Sequence, residues 1–319
     1  MTRMRCAILD DYFDLALNVA DWSRISDRVD VTVFNQPFAS EQVAADALKD
    51  YEIICAMRER TAFPRSLFAA LPRLKFLVTS GMRNAAIDMQ AAKDRNVVIC
   101  GTQYGRDPTA TLTMGLILEL TRGIGRENAR MHSGEPWQRF AGIEIEGRTL
   151  GVVGLGKLGS KVARLAKAFG MNVIAWSPNL TPERCNEVGV GYVSKGELFA
   201  KADIVTIHVV LSERSRGLVG AEDLARMKPS AYLINTARGP VVDETALFHA
   251  LQQKKIAGAG IDVFSVEPLP TDHPFRKLDN LVLTPHLGYA TADGLRSHYG
   301  QMVEAIDAWF KGAPPRRLA

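Results

Sequence analysis

Cysteine is scarce in this sequence and is never paired at short spacing. Cys6, Cys55, Cys100 and Cys185 lie far apart, with no C-x-x-C among them. The reading is four buried free thiols in a reducing compartment, the cytoplasm, with no disulfide framework and no metal site. Long apolar runs are missing as well. The opening MTRMRCAILDDYFD turns charged after a short apolar stretch, too short for a signal peptide or a membrane span, so no membrane partner is expected. Neither sign of charge dominates: the formal net charge is +4 and the lysines and arginines are scattered. That balance gives no reason to expect nucleic acid as a partner. Internal repeats, low-complexity segments, a basic targeting run and a long disordered tail are all absent.

What is present is an ordinary globular composition, 47% hydrophobic and 23% charged, spread over 319 residues. That length favours two domains over one core. Short apolar strands read at 6–9, 29–34, 52–57, 75–80 and 97–100, with helices at 40–48, 64–70 and 87–93 between them. Alternation of this kind implies crossovers and a parallel sheet. A long helical run, PTATLTMGLILELTR (108–122), continues unevenly toward Met131 and is broken by SGEPW (133–137). A second series of strands follows at 149–153, 172–176, 203–210, 231–236, 257–262 and 281–284, again with helices between. The last helix runs over 291–311, and the tail APPRRLA after it is expected to fray, having nothing to bury. The fold class expected is α/β, with two doubly wound parallel sheets.

Only the second series carries a phosphate-binding turn. In TLGVVGLGKLG (149–159), Gly154, Gly156 and Gly159 stand at G-x-G-x-x-G spacing between a strand and a helix. The first glycine permits the tight turn, the second admits a pyrophosphate close to the backbone, and the third lets helix pack on strand. The free N–H groups and positive dipole end of that helix favour the phosphates. A dinucleotide is the ligand this pattern implies.

Ligands of open parallel sheets bind beyond the carboxyl ends of the strands. Arg238, Asp262, Glu267 and His286 fall at or just after such ends. Each alone has an ordinary reading as a turn or surface residue. Together, on the edge that carries the glycine turn, they supply the parts for hydride exchange at a carbon bearing a hydroxyl or carbonyl. A histidine moves the hydroxyl proton. A carboxylate orients an imidazole and favours its charged form. An arginine holds a substrate carboxylate with two parallel bonds.

The motifs NTARGPVVDE (235–244), GAGIDVFSVEP (258–268) and TPHLGYAT (284–291), behind GLGKLG (154–159), resemble those of the D-isomer-specific 2-hydroxyacid dehydrogenases. The likeness extends to LPRLKFLVTSG (71–81) and Trp137. It implies a Rossmann cofactor domain over 102–290 and a flavodoxin-like substrate domain assembled from 1–101 and 291–319. It also implies a cleft that closes on substrate and a homodimer formed through the cofactor domain. By position, Arg238 matches the substrate-carboxylate arginine, Glu267 the orienting carboxylate and His286 the acid/base. Asp262 matches the residue used on the nicotinamide carboxamide. The resemblance further assigns Gly154, Gly156, Lys157, Leu158, Gly159, Ser177, Val209, Thr236, Ala237 and Gly288 to the NAD or NADP cofactor. Arg58, Met82, Arg83 and Arg238 go to the 2-oxo or 2-hydroxy acid.

The departures bear on specificity. NAD-preferring members carry an acidic residue after the second cofactor-domain strand, where this chain has Trp176-Ser177-Pro178-Asn179; no arginine adjoins Ser177, and Arg184 is several residues on. NADP is therefore at least as well suited as NAD. TATLT (109–113) replaces an Ala-Glu pair, SGMRNAAID (80–88) a glycine-rich stretch without arginine, and Val210 a proline. Arg58, Arg60 and Arg83 follow strands of the first domain, where a second anionic group on the substrate and plain solvation are both open readings. Phosphoglycerate would suit that charge, although 319 residues hold no regulatory domain of the kind many such enzymes carry. Formate is disfavoured, since its relatives have glutamine where Glu267 stands. Glyoxylate, hydroxypyruvate or a bulkier 2-oxo acid remain. The rival is a dinucleotide-sensing binding protein akin to the C-terminal-binding-protein corepressors, which keep the same three residues.

Overall fold

A computed structural model describes residues 3–103, 105 and 107–319. The chain divides into two compact units, 1–106 with 291–319, and 107–290.

In the first unit five strands lie parallel in the order β2-β1-β3-β4-β5: β1 Met4–Ile8, β2 Val29–Val33, β3 Ile53–Ala56, β4 Phe76–Thr79 and β5 Val98–Gly101. The strands β3 and β4 are buried along their whole length, as continuous apolar runs in a sheet covered on both faces must be. One face is covered by Leu48, Phe63, Leu67, Phe68 and their neighbours. The helix Ala292–Phe310 returns to this unit and stacks Trp309 on Phe76 at 5.1 Å between ring centroids. Helix starts are set by polar caps: the Ser40 hydroxyl accepts from Val43 N, and the Asp88 carboxylate accepts from Ala91 N. Two short helical turns, Ala16–Val19 and Trp22–Ile25, have no counterpart in the periodicity of the sequence.

One expectation fails here. The segment 313–319 does not fray. Gly101 N donates to Arg316 O at 3.0 Å, Leu318 N to Ile99 O at 2.7 Å and Ile99 N to Ala319 O at 3.2 Å. Arg316 also pairs with Glu304 at 3.0 Å, and Leu318 packs on the core. The physical reason is the edge: β5 ends the sheet with unpaired backbone groups, and these residues satisfy them in an antiparallel bridge, Cys100 to Arg317.

The second unit holds seven parallel strands in the order β12-β11-β10-β9-β6-β7-β8. They are β6 Thr149–Val153, β7 Asn172–Trp176, β8 Gly191–Tyr192, β9 Ile204–Ile207, β10 Tyr232–Asn235, β11 Gly258–Ile261 and β12 Leu281–Leu283. Six were legible in sequence; the two-residue edge strand β8 was not. Neighbours β6 and β9 mark the point where the winding reverses, and ligands bind at such switch points. The long apolar run over 108–131 is two helices, Thr109–Arg122 and Ile124–His132, parted by Gly123 in the left-handed region at φ 59°. The first is buried through Ala110, Met114, Leu116 and Ile117 on the sheet; the second exposes Ile124 and Met131.

Candidate active site

The turn after β6 is shaped by close approach. A Cβ at Gly159 would lie 2.0 Å from Gly154 O, so no larger residue fits without moving the turn. Gly156, by contrast, faces open space with nothing within 4 Å, and the helix Lys157–Ala168 starts there without a side-chain cap. Its leading N–H groups are thus available to an anion. Lys157 is exposed and pairs with Asp107 at 3.0 Å, while Leu158 turns into the core. A cleft of about 450 Å³ runs from this turn along Ser177–Leu180 and Arg184 after β7, and His208–Val210 with Ser212, Arg214 and Ser215 after β9. Of the cofactor residues assigned from sequence, Gly154, Gly156, Ser177 and Val209 line it. These residues fit a dinucleotide: an open glycine, an uncapped helix start and a trough continuing past the strand ends.

His208 lines the same cleft. Burial holds its imidazole down to a pKa of about 3, and among the described residues Nδ1 has no hydrogen-bond partner, while Nε2 meets the Thr206 hydroxyl at 2.9 Å.

Further along the sheet, three loops carry the polar residues. After β10, Asn235 ties the turn: its amide donates to Arg238 O at 3.0 Å and its carbonyl accepts from Ala237 N at 3.0 Å. Arg238 Nη1 reaches Ala237 O at 2.8 Å. Thr236 is buried with its hydroxyl 2.9 Å from that of Thr113. Gly239 permits this loop to press on the next one, since a Cβ there would sit 2.0 Å from Phe264 C. After β11, the Glu267 carboxylate accepts from Phe264 N at 2.9 Å through one oxygen and meets His286 Nδ1 at 2.6 Å through the other.

The loop after β12 holds His286 at φ 53°, a left-handed conformation that costs a non-glycine residue energy. Its N–H donates to Asp262 O at 2.8 Å, and its ring meets Tyr289 edge-on at 5.9 Å. Asp262 is fully buried and its carboxylate is occupied within the unit. It accepts from Thr284 Oγ1 at 2.6 Å, Leu287 N at 2.7 Å and Gly288 N at 2.9 Å. Burial raises its pKa, against those three hydrogen bonds and the nearby His286. Thr109 donates to Gly288 O at 2.9 Å, so the threonines of TATLT brace the loops at Thr236 and Gly288. Asn235 and Thr109 were not singled out from the sequence for these roles, because each depends on which loop ends up opposite it.

In the first unit, Arg58, Met82 and Arg83 follow β3 and β4. Arg58 adopts φ 54°, its N–H donates to Ser80 Oγ at 2.9 Å, and its guanidinium pairs with Glu59 at 3.5 Å. Asn84 knits the two loops, donating to Arg58 O and Thr79 Oγ1. Met82 and Arg83 are exposed. Arg60 stacks on Tyr12 at 4.6 Å, and Tyr12 donates to a buried Asp10. Among the described residues no group of three or more His, Cys, Asp or Glu side chains is placed to hold a metal, and no helix is long and apolar enough to cross a membrane.

A doubly wound sheet with a glycine turn at its switch point defines the dinucleotide-binding class. Residues 114–288, more than half of the chain, match the family model "D-isomer specific 2-hydroxyacid dehydrogenase, NAD binding domain". The chain is 37% identical over 271 residues to a D-3-phosphoglycerate dehydrogenase of Methanocaldococcus jannaschii, covering 84% of this chain and 51% of that one. It is 38% identical over 259 residues to a hydroxypyruvate reductase of Thermotoga maritima, covering 79% and 83%. Among solved structures, a phosphoglycerate oxidoreductase from Vibrio cholerae O395 aligns with a TM-score of 0.92 at 32% identity, over 97% of this chain and 100% of that one. The protein belongs to the D-isomer-specific 2-hydroxyacid dehydrogenase family. It spans about half the length of the curated phosphoglycerate dehydrogenases it matches.

Proposed function

We propose that this chain is an NAD(P)-dependent D-2-hydroxyacid dehydrogenase, interconverting a 2-oxo acid and a D-2-hydroxy acid. The observation that carries the reading is the 2.6 Å contact between His286 Nδ1 and Glu267, on the sheet edge that also bears the open glycine turn. When bound, the nicotinamide supplies or accepts the hydride. With Nδ1–H directed at the carboxylate, Nε2 is the nitrogen left to exchange a proton with the substrate oxygen. In reduction His286 gives its Nε2 proton to that oxygen; in oxidation the neutral ring takes it back. Glu267, anchored by Phe264 N, holds the ring in one tautomer and orientation. Arg238 binds the substrate carboxylate through its planar fork.

The first unit is read as the substrate domain, with Arg58, Met82 and Arg83 as candidate specificity residues. The relatives' names make hydroxypyruvate and the 2-oxo form of phosphoglycerate the first acids to try, with glyoxylate beside them. A homodimer through the second unit is part of the reading, supported by Ile124, Met131 and Trp137 exposed there, as is a cytoplasmic location. The test is turnover of NADH and NADPH with a panel of 2-oxo acids. Turnover with at least one acid, giving the D-product, is expected. Tight dinucleotide binding without turnover of any acid would contradict the enzyme reading in favour of a sensor.

A further inference from the structure

The cleft after β7 and β9 has an unusual charge balance for its place in the fold. A carboxylate about twenty residues beyond the glycine turn is the usual partner of the adenosine ribose, and an arginine nearby accommodates a 2′-phosphate. Here the position after β7 is Ser177, and the cleft is lined by two arginines and no carboxylate. Arg184 is spoken for: Nη1 lies 2.7 Å from Glu187 and Nη2 donates to Ser160 Oγ at 3.1 Å. Arg214 is different. It is exposed on the β9 side of the cleft and, among the described residues, makes no hydrogen bond or ion pair. Ser177 and Asn179 line the same cleft, and their side chains likewise make no hydrogen bond among the described residues. Uncommitted donors and one uncommitted guanidinium around a single trough describe a site for an anionic ester beyond the pyrophosphate.

We propose that Arg214, on the β9 side of the cleft, supplies the cation that reads the 2′-phosphate of NADP and tilts this chain toward that cofactor. The inference rests on the dinucleotide reading above. The guanidinium supplies charge-assisted hydrogen bonds to phosphate oxygens, with Ser177 and Asn179 as neutral donors. Arg184 remains the neutralised support of the wall.

The test is calorimetric binding of 2′,5′-ADP, 5′-ADP, NADPH and NADH to the whole chain, as wild type, Arg214→Ala and Arg214→Glu. As an exposed side chain without a partner, Arg214 is replaceable without loss of the fold. Wild type is expected to bind 2′,5′-ADP and NADPH more tightly than their unphosphorylated counterparts. Arg214→Ala should weaken the phosphorylated pair by roughly 10- to 100-fold, the scale of a lost hydrogen bond to a charged group. NADH and 5′-ADP should change by less than about threefold, since no 2′-phosphate is at stake. Arg214→Glu should go further and invert the preference. Equal losses for both pairs, or none for either, would overturn the assignment of Arg214 while leaving the dinucleotide site intact. Failure of wild type to bind any of the four would instead remove the dinucleotide reading on which it rests.

Discussion

At the scale of single residues, the site is a set of side chains whose freedom has been taken away by neighbours. Arg238 is carried on a turn tied by Asn235, so its guanidinium is presented from a fixed backbone. Arg238→Lys keeps the charge but loses the planar fork, and the Michaelis constant for the best 2-oxo acid is expected to rise at least about tenfold. Dinucleotide affinity should be nearly unchanged; an unaltered Michaelis constant would remove Arg238 from the substrate. Ser177, in the cleft after β7 and β9, offers the complementary test. Ser177→Asp introduces a ribose acceptor that repels a 2′-phosphate, and relative kcat/KM should move toward NADH by ~1–3 kcal/mol. A wild type already selective for NADH and indifferent to the substitution would show that Ser177 does not face the ribose. The positions of Arg238, Glu267 and His286 after β10, β11 and β12 were legible in sequence because they follow recognisable strand ends. Asn235 and Asn84 were not, because their work is to join backbone groups whose proximity exists only after folding.

At the scale of elements, loops after strands carry the candidate site residues and buried polar side chains hold the loops. Asp262 closes the loop of His286 by accepting three hydrogen bonds at once. In Asp262→Asn one donor faces another, and the buried mismatch is expected to cost about 1–3 kcal/mol of stability. Thermal unfolding should detect that loss, and turnover should fall with it as His286 loses its placement. A variant with wild-type stability and turnover would contradict the role of this carboxylate in the loop. Sequence patterning delivered most strands and helices, since apolar runs bounded by polar turns are local signals. It passed over β8, two residues long, and the short turns at Ala16–Val19 and Trp22–Ile25, which are too brief to show a period. The docking of 313–319 escaped for another reason: its partner is the edge of β5, distant in sequence, and the gain is backbone pairing rather than apolar burial.

At the scale of the whole molecule, each unit holds one neutral histidine, His298 fully buried and His208 half-buried in the wall of its cleft. Burial holds His208 to a pKa of about 3, and burial, with Arg58 nearby, holds His298 to about 4, where Nδ1 lies 2.6 Å from the Thr102 hydroxyl. An unfolded chain takes up these protons near pH 6.5. Above that pH the folded state pays no penalty. As the pH falls from 6.5 toward 4 the unfolded state binds more protons and stability is lost, at up to about 1.4 kcal/mol per pH unit for each histidine. Urea unfolding at pH 7.5 and pH ~5 should reveal the loss, and His298→Asn should flatten part of the slope. A stability independent of pH across that window would mean that these imidazoles are not held neutral.

The proton-transfer role of His286 is the centre of the account, and one paired measurement addresses it most directly. Turnover of the best 2-oxo acid and the affinity for NADH or NADPH are determined on the same preparations of wild type and His286→Ala. The account expects turnover to fall by roughly 10²–10⁴-fold, the usual contribution of a positioned acid/base, with cofactor affinity within about threefold of wild type because His286 lies outside the cleft after β7 and β9. Near-normal turnover in His286→Ala would contradict it.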